Sequence, residues 1–289
     1  MKVAIIGLGL IGGSIGLDLR ARGFARRILG SDVSREHADK ALELSLVDEV
    51  LPLEAAVPSA DLIILGLPVD AILETLPRVL ELASGNATVT DVGSTKDLIC
   101  KSVEGHFRRR QFVPAHPMAG TEHSGPSAAL QGLFDQRVAV ICNRDASDLQ
   151  HLQRVEKMYS VLGMRLVYMT SMAHDLHVAF VSHLSHISSF VLANTVLDQE
   201  KNTATIFDLA SGGFESTVRL AKSSPDMWAP IFRQNLSNVT AALDSYIEHL
   251  QDFRESLVEG RRTRGLMEQA NEIGRILTRI QTPDGGNRR

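Results

Sequence analysis

The chain has 289 residues, 44% of them hydrophobic, and a net charge of −4; that length and apolar content suit two domains with buried cores better than one. There is no basic stripe, and Arg108-Arg109-Arg110 reads as a lone solvated helix end, which argues against nucleic acid as a partner. The two cysteines, Cys100 and Cys142, suggest neither a disulfide framework nor a metal site. No stretch reads as a membrane span, and the first residues form a core strand instead of a signal peptide, so a cytoplasmic setting is expected.

Lys2-Val3-Ala4-Ile5-Ile6 is a short run rich in β-branched residues, as expected of a strand buried on both faces. It leads into Gly7-Leu8-Gly9-Leu10-Ile11-Gly12, a G-x-G-x-x-G loop. Its first glycine makes the tight turn, its second lets a pyrophosphate approach the backbone, and its third lets helix and strand pack closely. The helix that follows, to about Arg22, offers free N–H groups and a positive dipole end to that anion. A second strand around Arg27–Ser31 ends at Asp32, placed to accept the ribose hydroxyls of a dinucleotide. A carboxylate there repels a 2′-phosphate and favours NAD over NADP, although Ser31, Ser34 and Arg35 leave some room for a phosphate. A plainer reading makes Asp32 a helix N-cap.

Strands are expected at Asp61–Gly66 and Ala87–Asp91, with helices from about Val69 and Thr95; this is the rhythm of a doubly wound parallel sheet. Arg137–Cys142 and Arg165–Met169 read as further strands, separated by a helix from Asp148 to Leu162. From Ser171 the pattern is helical, with segments around 172–198, 202–222 and 227–258, breaks at Gly212-Gly213 and Pro225, and a last helix to about Ile280. The domains are therefore expected at 1–169, a Rossmann-type α/β domain, and at 170–289, an all-α domain whose tail, 282–289, reads as disordered. Ligands of open α/β sheets collect outside the carboxyl ends of the strands. Gly66-Leu67-Pro68, Asp91-Val92-Gly93-Ser94 and a loop carrying His116 all fall there, so Leu67, Pro68 and Ser94 are expected around the nicotinamide. Ser94 either caps the next helix or hydrogen-bonds a catalytic group, and the two roles are compatible. His116, in a loop punctuated by proline and glycine, is placed to move a proton. Lys96, in the expected first helical turn, is the less favoured acid.

These motifs together resemble the prephenate/arogenate (cyclohexadienyl) dehydrogenase family. The resemblance spans nearly the whole chain: Gly7 to Ser14, Asp91-Val92-Gly93-Ser94-Thr95-Lys96, His116-Pro117-Met118-Ala119-Gly120-Thr121-Glu122, Val181-Ser182-His183-Leu184-Ser185-His186, Gly212-Gly213-Phe214, and Arg219 through Trp228. It implies NAD-dependent oxidative decarboxylation of a ring diene in tyrosine biosynthesis, by a homodimer formed through the helical domain. It also implies His116 as the base with Ser94 hydrogen-bonding in the same region, Arg219 as the clamp for a substrate carboxylate, and His186 with Ser182 as substrate contacts. His183 reads as a packing histidine. Thr121 and Glu122 fall at the cleft entrance, where Glu122 bridges to the substrate or the other subunit or is a plain loop acid; Trp228 is either near the cleft or core. Ser211 stands where the family often has a third glycine. A hydroxyacid or imine reductase of the same plan, a nicotinamide-sensing regulator and a structural dimerisation protein are the rival readings.

Overall fold

Val3 and Ile5 of the first strand, β1 (Lys2–Ile6), join one hydrophobic core, while Ala4 and Ile6 join another on the opposite face. That is the two-sided burial that an unbroken apolar strand implies. The computed structural model describes residues 1–202 and 205–281; the expected disorder of 282–289 lies outside the described residues.

After β1 come α1 (Leu10–Ala21), β2 (Arg27–Ser31), α2 (Arg35–Glu43), β3 (Glu49–Val50), α3 (Leu53–Ala56), β4 (Leu62–Leu65), α4 (Val69–Leu82), β5 (Thr88–Asp91), α5 (Asp97–Ser102) and β6 (Phe112–Val113). The six strands form one parallel sheet in the order β3-β2-β1-β4-β5-β6. The chain winds outward from β1 to β3, then crosses back to β4 on the other side of β1. The crevice at the carboxyl ends of β1 and β4 is thus the switch point where such sheets bind ligands.

Glycine is required in the loop after β1. Gly7 has φ +94°, and a Cβ there would lie 2.5 Å from the Gly66 carbonyl oxygen; at Gly12 a Cβ would lie 2.1 Å from the Gly7 carbonyl oxygen and 3.0 Å from Ile5 Cγ2. Gly12→Ala therefore forces the turn and the α1 start apart. It is expected to cost roughly 1–3 kcal/mol, as overpacking does, read as a lowered Tm in thermal melts, with weaker dinucleotide binding in titrations.

The chain continues through β7 (Ala115–Pro117), β8 (Val138–Cys142), α6 (Leu149–Val161) and β9 (Arg165–Met169). These strands do not extend the main sheet. They form a separate three-stranded sheet, β7-β8-β9, with β7 antiparallel and β9 parallel to β8. Pro114 marks the exit: it has no N–H to donate, and its carbonyl accepts instead from the Cys142 N–H at 2.9 Å. His116 consequently lies on a strand, paired with Val140, and not in a loop.

Beyond β9 the structure is helical: α7 (Ser171–Val178), a π-helical turn (Ala179–His183), α8 (Leu184–Asn202), a 3-10 turn (Ile206–Leu209), α9 (Gly212–Val218), a 3-10 turn (Arg219–Lys222), α10 (Pro225–Gln234), α11 (Leu236–Glu259) and α12 (Thr263–Gln281). The Thr170 hydroxyl caps α7 by accepting from the Ala173 N–H. The expected helix over 202–222 is instead short pieces, with Gly212-Gly213 opening α9, and the expected 227–258 helix breaks at Asn235. Met1–Val239 form one compact unit, and a second begins at Thr240. Contrary to the sequence reading, the continuous helical run Ser171–Lys201 is long and apolar enough to cross a membrane by length and composition. It nevertheless carries the buried polar groups His174, Asp175 and His183, which are costly in lipid.

Candidate active site

At the switch point, Gly7 and Leu8 are buried while Gly9, Leu10 and Ile11 keep partial exposure. Gly9 is the N-cap of α1, and a Cβ there would meet nothing within 4 Å. The open backbone and the unpartnered N–H groups of the first helical turn suit a pyrophosphate. Asp32, just past β2, is held in place by two backbone donors: Oδ2 accepts from the Leu8 N–H and Oδ1 from the Ser34 N–H, both at 2.9 Å. Each oxygen keeps a lone pair for a ribose hydroxyl. Asp32 is not the cap of α2; Ser34 is, accepting from the His37 N–H. A cleft along α2 is lined by the basic Arg35, His37 and Lys40, the acidic Glu36, Asp39 and Glu43, and residues 124–127, so the loop after Glu122 faces α2. Leu67 and Pro68 follow β4 across the crevice, where Pro68 is the N-cap of α4.

The end of β5 carries a fully buried ion pair, Asp91–Lys96. Asp91 also accepts from the Gly93 and Ala115 N–H groups, and Lys96 donates to the Ala115 carbonyl at 3.0 Å. The pair therefore clamps the backbone immediately before His116. Lys96 itself has no exposed surface with which to meet a substrate.

His116 Nδ1 lies 2.9 Å from His174 Nε2, and His174 Nδ1 lies 2.8 Å from Asp175 Oδ1. Asp175 also accepts from the Lys96 and Asp97 N–H groups, at 2.8 and 2.9 Å. The cap of α5 thus comes from α7 and not from Ser94, whose side chain makes no hydrogen bond, to His116 or otherwise, among the described residues. Burial, reinforced by the neighbouring His174, the Lys96 ammonium and His183, holds the His116 pKa well below the usual 6.5. Its imidazole is neutral at pH 7 and able to accept a proton.

The π-helical turn and α8 carry the next histidines. His183 is buried, with Nδ1 3.2 Å from Asn235 Nδ2, and burial lowers its pKa to about 4. His186 donates from Nδ1 to the Ser182 carbonyl at 3.0 Å and stacks on Trp228, ring centroids 3.6 Å apart. Its Nε2 is left free to accept. Burial lowers its pKa, and the Arg219 charge pushes it the same way. Trp228 packs with Val69 and Ile231, and its indole N–H is buried without an acceptor. Arg219, about half exposed, lies 3.9 Å from Glu122. The Thr121 hydroxyl accepts from the His123 N–H.

The structure thus joins His116 to His174 and Asp175 by hydrogen bonds, ties His183 to the same segment through Asn235, sets Trp228 against both His183 and His186 and places Arg219 beside Glu122, while the hydroxyls of Ser94 and Ser182 take no part in these contacts. Sequence reading passes over His174, Asp175 and Asn235. Their only signal was a His-Asp pair one turn into a helix that follows the last strand.

The family model described as prephenate dehydrogenase, nucleotide-binding domain, matches residues 15–168, and that described as prephenate dehydrogenase, dimerization domain, matches 170–272. Prephenate dehydrogenase of Bacillus subtilis is 31% identical over 258 residues, covering 87% of this chain and 69% of the relative. The crystal structure of prephenate dehydrogenase from Aquifex aeolicus with hydroxyphenyl propionate and NAD+ superimposes with a TM-score of 0.85 at 30% identity, covering 97% of this chain and 98% of the other. That of Synechocystis arogenate dehydrogenase does so with a TM-score of 0.77 at 29% identity, covering 96% and 100%. With a parallel nucleotide-binding sheet, a following helical domain and both family domains matched in order, the chain belongs to the prephenate dehydrogenase family of oxidoreductases.

Proposed function

We propose that this protein catalyses the NAD-dependent oxidative decarboxylation of prephenate to 4-hydroxyphenylpyruvate, of arogenate to tyrosine, or of both. The observation that carries the reading is His116, a neutral base hydrogen-bonded to the buried His174–Asp175 pair, in a chain that also presents the half-exposed Arg219 cation beside Glu122. Bound NAD supplies the acceptor for the hydride that leaves the hydroxyl-bearing ring carbon. His116 takes the hydroxyl proton. The carbon–carboxylate bond on the opposite side of the ring breaks, its electron pair completes the aromatic ring, and carbon dioxide leaves. The phenolic oxygen recovers a proton, so none is lost overall. Arg219 holds a substrate carboxylate, with the free Nε2 of His186 and the hydroxyl of Ser182 as further contacts; Ser94 orients the reacting hydroxyl. Thr121, Glu122 and Trp228 border the entrance and the substrate side chain.

Gly7, Gly9, Leu10, Ile11, Gly12, Asp32, Leu67, Pro68 and Ser94 make up the dinucleotide site of this reading. Asp32 supports NAD over NADP, because its carboxylate would face a 2′-phosphate. Asp32→Ser is expected to narrow the ratio of kcat/KM for the two cofactors, and an unchanged ratio would assign that choice to another residue. The homodimer is part of the proposal. Met172, Val181 and Val191 are exposed on the run of α7 and α8, and α12 exposes Met267, Ile273, Ile276 and Leu277; such apolar faces call for a partner. A cytoplasmic setting fits Cys100 and Cys142, both free and buried. Initial rates with prephenate and arogenate, each with NAD and NADP, test the reading. Turnover of either acid supports it and ranks the four pairings, whereas NADH binding without turnover of either acid refutes it.

A further inference from the structure

We propose that His174 and Asp175 are positioning residues that fix His116 as its Nδ1–H tautomer, leaving Nε2 as the atom that takes the substrate proton. This rests on the reading of His116 as the base. The two carboxylate oxygens of Asp175 accept the Lys96 and Asp97 N–H groups, at the positive end of α5, where a carboxylate is favoured. A carboxylate only accepts, so the His174 Nδ1 lying 2.8 Å away carries the hydrogen. A neutral imidazole has one donor and one acceptor nitrogen. His174 Nε2 is therefore an acceptor, and the His116 Nδ1 lying 2.9 Å from it must donate. The lone pair of His116 is then on Nε2.

The surroundings leave little room for the opposite arrangement. His174 is 1% exposed and Asp175 2%, so bulk water does not reach in to supply another donor. Lys96 is directed at Asp91 and the Ala115 carbonyl. Asn235 donates to the Asp175 carbonyl at 2.6 Å and faces His183 Nδ1, which keeps that ring engaged elsewhere. The two rings of the pair meet edge to face, their planes 71° apart. Asp91, Lys96, Asp175 and His183 are the charged or titratable groups facing the pair from β5, the N-cap of α5, α7 and the π-helical turn, and Asn235 is its polar neighbour from the end of α10. When His116 becomes an imidazolium, its Nδ1–H stays donated to His174, and the carboxylate of Asp175 lies one ring further on. This is the logic by which a buried acid selects the tautomer of a catalytic imidazole in hydrolytic triads, here relayed through a second imidazole.

The tautomer can be read directly by NMR on the full-length protein labelled with 15N-histidine and saturated with NAD, with His116 identified by comparison with His116→Asn. We expect Nδ1 protonated and Nε2 unprotonated at pH 8. Finding the hydrogen on Nε2 would overturn the proposal, whether or not the His174 variants fold. In activity, His174→Phe keeps the ring shape but removes the acceptor. It is expected to lower kcat roughly 10–100-fold, the scale seen when an orienting partner is lost, with KM for NAD unchanged. His174→Gln returns an acceptor oxygen near the lost Nε2 and should recover most of kcat. A His174→Phe enzyme as fast as the parent, or a His174→Gln enzyme as slow as His174→Phe, would also overturn it. Should His116→Asn retain full turnover, the base reading fails, while the NMR result still decides the tautomer.

Discussion

His116→Asn is expected to lower kcat by about 10²–10⁴-fold, the range that a positioned general base contributes, while the dissociation constant for NAD stays near the parent value. Asparagine retains a polar group near the Nδ1 position and removes Nε2, so the loss falls on proton transfer. The Asp91–Lys96 clamp acts through the backbone of Ala115, and substitution of the neighbouring side chain leaves it in place. The parent's pH profile follows from the lowered pKa of His116. A base is active when neutral; burial, His174, Lys96 and His183 all disfavour the charged form. The plateau in kcat/KM should therefore extend below the usual histidine value of 6.5, with activity lost only as pH falls through the lowered pKa. In His116→Asn this acid limb should disappear from the residual rate. Unchanged turnover, or a persistent acid limb in the variant, would remove His116 from the proton-transfer step.

Arg219→Ala is expected to raise the KM for the cyclohexadienyl acid about 10–100-fold, corresponding to roughly 1.5–3 kcal/mol for a hydrogen bond to a charged group, with a smaller effect on kcat. The guanidinium is half exposed, and its contact with Glu122 is long, at 3.9 Å. An exposed pair of that length is weak, so a substrate carboxylate can displace Glu122 at little cost. Arg219→Lys keeps the charge without the planar fork and should recover only part of the affinity. Initial rates against substrate concentration at saturating NAD separate the two parameters. A parent-like KM in Arg219→Ala would exclude a carboxylate contact.

The dinucleotide end of the molecule was legible residue by residue. Strand, glycine turn, helix, second strand and Asp32 are local features, each set by period, φ or close approach within about thirty residues, and the structure repeats them in register. What the sequence concealed depends on contacts between distant segments. β6 and β7 have two and three residues, too short for any alternation to register, so His116 read as a loop residue and β8 and β9 read simply as further strands, with no sign of a separate sheet. Lys96 read as an ordinary first-turn lysine, because nothing local shows that Asp91 and the Ala115 carbonyl close over it. The cap of α5 comes from Asp175, 78 positions beyond Asp97, which is why Ser94 looked like the natural cap. Asn235 interrupts an otherwise periodic helical pattern, and its side chain bonds the Asp175 carbonyl; no hydrophobic period records such a bond.

The central claim is a coupled oxidation and decarboxylation. The most direct test follows NADH formed and carbon dioxide released in one reaction of the purified protein with prephenate and NAD, and in a parallel reaction with arogenate. Equal amounts of the two products, with an aromatic ring appearing at the same rate, are the predicted result. NADH without carbon dioxide would make the protein a simple alcohol dehydrogenase on this fold and would contradict the account.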